Sequence, residues 1–559
     1  MADAFDFDVI VIGSGFGGSV TTCRLAEKGY HVALLERGRQ YGMHEFPRRM
    51  DEMKSRLFWD PDDGYYGFME FRTYPASDAF SVCASGLGGG SLIYANVLME
   101  MPAAFFAGWP GGITRETLNP FYARGLEMLE AAPYPYETNP YYRDTPKTEA
   151  FRAASDAVKD DPDAIEPHRF LFPNLAIRFK GDFPGHQTLN QQGVVQSSCI
   201  KCGECDVGCN VHAKNTLDLN YIARARNQAL LGPDGKAAEV RTGALVKEIS
   251  PLESGGYAVT YVNPLNQSEK TTIRAQNVVV SAGCVGTNAL LLKMRKYKKL
   301  NHLSPMLGKK WCGNGDLEGT VLFSDREHPL NNGPVITAAV QHRFKDYPDG
   351  FGHGLVLQEA GIPNFIAWFI AGRLPSIGFF YKLFVVPFSA LWNLIRRVFT
   401  KRARSQINPG NYIASLMDQD SYLRKTMVLL GMGRDRSDGE VTLNDDDEPI
   451  IRWRMDHSRL HYDRVRREME KMAHALGGKF MENPISYMDK IIAVHPLGGC
   501  VMADTAEDGV VDTRGEVFGH PGLFVVDASV LPTSVGPNPS LTITALAEYF
   551  ASKWPKKGA

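Results

Sequence analysis

A chain of 559 residues is too long for one ordinary domain and suits two or three that share an interface. With 44% hydrophobic and 22% charged residues it has globular composition and material for a sizeable core. Its 61 Lys and Arg nearly balance 63 Asp and Glu, which argues against nucleic acid as a partner. The first residues lack a basic region followed by a cleavable apolar one. Nine cysteines in so long a chain do not suggest a secreted disulfide framework either, so a cytoplasmic protein is expected.

Residues 7–12, FDVIVI, form a short apolar, β-branched run that predicts a buried strand. Helix-like spacing through Val20, Leu25 and Ala26 follows, then a second strand at Val32–Leu35. Gly13, Gly15 and Gly18 fall between strand and helix as G-x-G-x-x-G. The first permits a tight turn, the second lets backbone approach a pyrophosphate, and the third lets helix pack on sheet. Glu36 closes the second strand, where a carboxylate accepts bonds from a ribose and repels a 2′-phosphate. Residues 132–148, dense in Pro, Tyr and Asn, predict a loop.

Cys199, Cys202, Cys205 and Cys209 are spaced C-x2-C-x2-C-x3-C, as in a bacterial ferredoxin run, with Asn210 where Pro is usual. One iron–sulfur cluster, a structural zinc and a metal-free or disulfide-closed loop all stay open on this spacing. A second strand–helix passage lies at 277–293, a further strand at Leu523–Val526, and a last helix from near Leu541. Such segments at the start, middle and end predict an α/β fold with one discontinuous Rossmann-like domain. Between them, 363–404 is long, apolar and aromatic and ends in Arg396, Arg397, Lys401, Arg402 and Arg404. Its prolines and charges argue against a spanning helix and favour contact with a membrane's inner face; core packing with a basic solvated end is the alternative.

Four passages, SGLGGGSLIYANVLM (85–99), SAGCVGTNALLL (281–292), HPLGGC (495–500) and VVDASVLPTSVGPNPSLTITALAE (525–548), resemble the glucose–methanol–choline (GMC) oxidoreductases, especially their cholesterol-oxidase-like branch. The resemblance implies FAD. It places Gly88, Gly89, Gly90 and Ser91 along the cofactor, Asn96 near its isoalloxazine, Asp527 at the ribityl or phosphate part and the Val246 backbone at the adenine. It also implies His495 and Asn538, the latter beside Pro539, in front of flavin N5 as a His/Asn pair. A histidine can accept a hydroxyl proton near neutrality, whereas an amide can only orient. Glu359, among Leu355, Val356, Leu357 and Ile362, matches a buried glutamate base loosely, and a surface glutamate at a strand end fits it equally.

The expected layout is an FAD domain from 1–110, 190–300 and 490–559 and a substrate domain from 111–189 and 301–489, with an antiparallel sheet over the flavin. The expected reaction is oxidation of a hydrophobic alcohol, a sterol or a long-chain alcohol, by hydride transfer to the flavin. Electrons would pass on to O2 or to a protein or quinone acceptor. Two rivals are a light-driven fatty-acid decarboxylase on the same architecture and a membrane-docked flavin and iron–sulfur electron-transfer subunit.

Overall fold

The computed structural model describes residues 5–74, 77–160, 164–345, 354–363, 423–483 and 490–558. The segment expected at a membrane, 363–404, lies outside these residues except for Pro363. Among the described residues no helix is long and apolar enough to cross a membrane.

The FDVIVI run forms the strand Phe7–Ile12, and Val9, Ile10 and Val11 are wholly buried. It pairs in parallel with Val32–Glu36 on one side and with the end of the long strand Asn266–Val280 on the other. Glu239–Thr242 extends the sheet beyond Val32–Glu36, and Leu523–Val525 pairs in parallel with Val278–Val280. A strand paired on both edges and covered on both faces has no polar side to show, hence the unbroken apolar sequence. The first half of Asn266–Val280 leaves this parallel region and makes an antiparallel meander with Tyr257–Asn263 and Leu245–Pro251.

The helix Phe16–Glu27 follows the glycine turn and lies on this sheet. A Cβ on Gly17 would stand 1.7 Å from the carbonyl oxygen of Val526, and one on Gly18 would stand 2.0 Å from that of Gly13. Both positions therefore require glycine for close packing. Across the helix, Arg24 grips the buried Glu548 of the last helix, Ser540–Ser552, with Nε at 2.8 Å from one carboxylate oxygen and Nη2 at 2.8 Å from the other. Tyr221 donates its hydroxyl to the same carboxylate at 2.9 Å.

A second, six-stranded antiparallel sheet runs in the order Lys479–Glu482, Leu317–Leu322, Met427–Met432, Gly354–Ala360, Ala339–Arg343, Arg169–Leu171. Helix Arg459–Ala475 covers one face, where Val465 and Met469 press on Gly431 and Gly319. A smaller four-stranded sheet contains Lys309–Cys312 and Leu497–Gly499, which pair antiparallel with Cys312 opposite Leu497. That register matters most for function, because it sets the residues just after Cys312 against those just before Leu497.

Removing Glu548 while Arg24 and Tyr221 remain leaves two polar groups without their buried acceptor. Glu548→Ala is expected to cost on the order of 3 kcal/mol, read as a lower urea midpoint, with Tyr221→Phe costing about 1 kcal/mol.

Candidate active site

At the nucleotide end, Gly15 is the residue before helix Phe16–Glu27, and a Cβ built there meets nothing within 4 Å. The space in front of this helix start is open, and its backbone N–H groups are suited to an anion. Gly89 closes on it, since a Cβ on Gly89 would lie 2.6 Å from the Gly15 Cα. Gly89, Gly90 and Ser91 thus sit in a short helical turn, entered from Gly88, beside the dinucleotide motif. Ser91 Oγ accepts from the Leu217 N–H at 3.0 Å and donates to the Gly88 carbonyl at 2.7 Å.

Glu36 ties this end together. Its carboxylate accepts from the Ser14 N–H (3.1 Å) and hydroxyl (2.6 Å), and from the N–H groups of Gly38 (2.9 Å) and Gly86 (3.2 Å). The backbone of Ala244 donates to the Glu36 carbonyl at 2.8 Å, which brings Val246 near the same strand end. Asp527 is similarly committed: it accepts from Ser529 N–H (2.8 Å) and hydroxyl (2.5 Å), Gly283 N–H (3.0 Å) and the Thr287 hydroxyl (2.5 Å).

The reactive end is organised by the turn 313–316. Asn314, with φ of 60°, accepts from the N–H groups of Val535 (2.9 Å) and Gly536 (3.1 Å) and donates to the Pro537 carbonyl at 3.1 Å. One side chain thereby holds the loop that ends in Asn538 and Pro539, the latter heading the last helix. Two residues on, the fully buried Asp316 accepts from His495 Nδ1 at 2.8 Å and from the His495 backbone N–H at 3.0 Å. Asn538 is fixed from the other side, since Gln358 Nε2 donates to its Oδ1 at 2.8 Å. The Asn538 amide N–H2 is the end of that side chain left for a ligand.

Burial governs the acids here. It pushes Asp435 up to about 7, although the Ser534 hydroxyl and the Gly313 N–H oppose the shift. Burial likewise raises Glu318 to about 7, against a 3.2 Å bond from Asn483. Burial also raises Asp316, while the His495 imidazole pulls it back.

Glu359 does not join this group. Strand neighbours point to opposite faces, and Gln358 takes the face towards Asn538. Leu357 and Glu359 turn the other way, where Glu359 pairs with the buried Lys147 and accepts from the Thr337 N–H at 2.8 Å. Nor is it the surface glutamate of the alternative reading, since it is fully buried.

The four quartet cysteines line one small cavity of about 20 Å³ together with Lys214. Lys214 Nζ donates to the carbonyls of Cys205 (2.7 Å) and Leu92 (3.1 Å), linking this loop to the glycine-rich turn. Burial raises the Cys202 thiol to about 12 and lowers Lys214 to about 8. Among the described residues no three His, Cys, Asp or Glu side chains are arranged to hold a metal ion, so this arrangement gives the expected cluster no support.

The residues present fit FAD. The open cradle at Gly15 suits the pyrophosphate, and Asn96, fully buried with φ of 69°, has neither amide atom partnered within the protein. Ser85 Oγ and Asp218 Oδ1 are likewise buried without a partner. Buried polar groups without partners are rare and cost free energy unless a ligand or water satisfies them.

Fold and site together are similar to those of GMC-type oxidoreductases. Residues 435–547 match the GMC oxidoreductase family and residues 11–68 an NAD(P)-binding Rossmann-like domain. Over 99% of its length the chain is 28% identical to a cholesterol oxidase of Mycobacterium tuberculosis, covering 92% of that protein. A cholesterol oxidase of Acinetobacter baumannii is 27% identical, with 99% and 95% covered. A long-chain-alcohol oxidase of Arabidopsis thaliana is 22% identical over 98% of this chain and 66% of its own length. Among solved structures, pyridoxine 4-oxidase from Mesorbium loti superposes with a TM-score of 0.61 at 17% identity, covering 98% of this chain and 99% of that one.

The sequence pointed to His495 and Asn538, both of which contact residues of the turn 313–316 or its loop, but not to Asn314, Asp316 or Gln358. The only local signal was the Asn-Gly pair at 314–315, which marks a turn. Two outcomes check this geometry. Glu359→Met should destabilise by roughly 3 kcal/mol, and Lys147→Met added to it should recover much of that loss, both read as urea midpoints. Asp435 holds its proton to higher pH folded than unfolded, so its favourable contribution is lost as pH rises from about 4 through 7. The melting temperature of Asp435→Asn relative to the unaltered protein should therefore climb between pH 5 and pH 8.

Proposed function

We propose that this enzyme oxidises a hydrophobic alcohol, a sterol or a long-chain alcohol, using FAD, with dioxygen as the final acceptor. One observation carries the reading: His495 and the Asn538 loop are both held from the single turn 313–316, with a ring nitrogen and an amide N–H2 left over. The names of the similar proteins, cholesterol oxidase and long-chain-alcohol oxidase, support the substrate class.

The chemistry follows from the residues. His495 Nε2, which makes no hydrogen bond among the described residues, receives the hydroxyl proton as the O–H bond breaks. Asn538 donates from Nδ2 to the alcohol oxygen and holds it in register with that nitrogen. Bound FAD would supply the acceptor for the hydride leaving the carbinol carbon. Water exclusion falls to apolar neighbours: Met99 lies 3.8 Å from Gln358 Nε2, and Phe105 packs on Gly536. A site walled in this way favours a greasy substrate over a sugar. No cluster at the cysteine quartet is needed for this reaction.

The test is anaerobic bleaching of the bound flavin in darkness by cholesterol or a long-chain primary alcohol. Bleaching is expected with at least one of them, and His495→Ala should slow it by about 10²–10⁴-fold with the flavin still bound. A flavin that stays oxidised with both alcohols, yet turns over a fatty acid under blue light, would sink the proposal.

A further inference from the structure

The bonds around His495 are unusual in their concentration. One carboxylate, Asp316, takes the ring Nδ1 at 2.8 Å from Oδ1 and 3.0 Å from Oδ2, and Oδ2 also accepts the backbone N–H of the same histidine at 3.0 Å. Ring and backbone of one residue are thus held by one fully buried group. A backbone N–H can only donate, so the oxygen facing it must be an acceptor. A neutral imidazole with its lone pair on Nδ1 would set that pair against the carboxylate's own. The favourable arrangement has the hydrogen on Nδ1.

We propose that Asp316 is a positioning residue for the reaction: it keeps the proton on Nδ1 of His495 and thereby keeps Nε2 as the nitrogen that accepts the substrate proton. The inference rests on the reading of His495 as proton acceptor given above. Asp316 touches neither substrate nor cofactor and acts only through the imidazole. As the hydroxyl proton arrives on Nε2, His495 becomes a cation, and the carboxylate behind it stabilises that charge. Its place is secured by the antiparallel pairing of Lys309–Cys312 with Leu497–Gly499, which carries the turn and the histidine past each other. Gly498 and Gly499 permit that approach, because a Cβ at either would lie 2.1 Å from the Lys310 carbonyl oxygen or 2.2 Å from the Asn288 amide nitrogen.

Asp316→Asn offers the ring an N–H donor where it had an acceptor. It should push the imidazole proton to Nε2 and remove the base. The same exchange behind the histidine of a serine protease costs on the order of 10⁴ in kcat. Two measurements on the flavin-loaded enzyme test the inference. With ¹⁵N-labelled histidine, the His495 signal, assigned by its loss in His495→Ala, should report the Nδ1–H tautomer in the unaltered enzyme and Nε2–H in Asp316→Asn. In rapid-mixing experiments, Asp316→Asn should slow flavin reduction at least about 10²-fold with KM and flavin content kept. The double variant with His495→Ala should be no slower than the slower single one.

An Nε2–H tautomer in the unaltered enzyme overturns the proposal, and that result does not depend on Asp316→Asn folding. So does an Asp316→Asn enzyme that keeps full speed, or a double variant whose loss is the product of the two single losses. If no alcohol reduces the flavin of the unaltered enzyme, the function proposed above falls. The tautomer measurement then still decides whether Asp316 sets the proton on His495.

Discussion

The proposed reactive end of this molecule depends on four residues, Gly313 to Asp316, that follow a short strand. Each uses a different group to reach a different part of the chain. The Gly313 N–H goes to Asp435, the Asn314 amide to 535–537, the Gly315 carbonyl to His461 Nε2 at 2.9 Å, and the Asp316 carboxylate to His495. A turn whose polar groups are satisfied by separate segments fixes their relative positions at little cost in side-chain entropy. Asparagine and aspartate are short and carry few rotamers to lose. Moving this turn would displace the imidazole and the Asn538 loop together.

The two ends of the proposed cofactor path are built on different principles. The nucleotide end is a matter of backbone: glycines let strand, helix and loop touch, and two carboxylates, Glu36 and Asp527, are spent on backbone and hydroxyl donors. The reactive end is a matter of side chains meeting across long sequence separations, Gln358 with Asn538 and Asp316 with His495. The first kind of site tolerates varied side chains as long as glycine stays where a Cβ would collide. The second tolerates little, because an amide or carboxylate replaced by an apolar group strands its partner in the interior.

That difference also explains what could be read from sequence. The strand at 7–12, the glycine motif and Glu36 are local patterns, and each lies where its pattern implies. The resemblance of HPLGG and GPNP to a known family supplied His495 and Asn538, which no periodicity would single out from fourteen histidines. Glu359 rested on a loose resemblance, which cannot choose a strand face; the neighbouring Gln358 has the one towards Asn538. Asp316 and Asn314 stayed hidden because their partners lie 179 and 221 residues away. The cysteine quartet teaches the same point from the other side, for a ligand spacing brought four thiols to one cavity without arranging them as a metal cage.

The order of the chain has a consequence for biosynthesis. The strand Phe7–Ile12 can pair with Val32–Glu36 soon after both leave the ribosome, but its other edge must wait for residues 275–280. That strand in turn waits for Leu523–Val525, and Arg24 waits for Glu548. At some 5–20 residues per second, the nascent chain carries an open, apolar sheet edge for roughly half a minute or longer before its last partner is made. Such an edge is a template for wrong pairing. Production of this protein is therefore expected to be sensitive to translation speed and to holding chaperones in a way that the finished enzyme, whose Phe7–Ile12 strand is paired on both sides, is not.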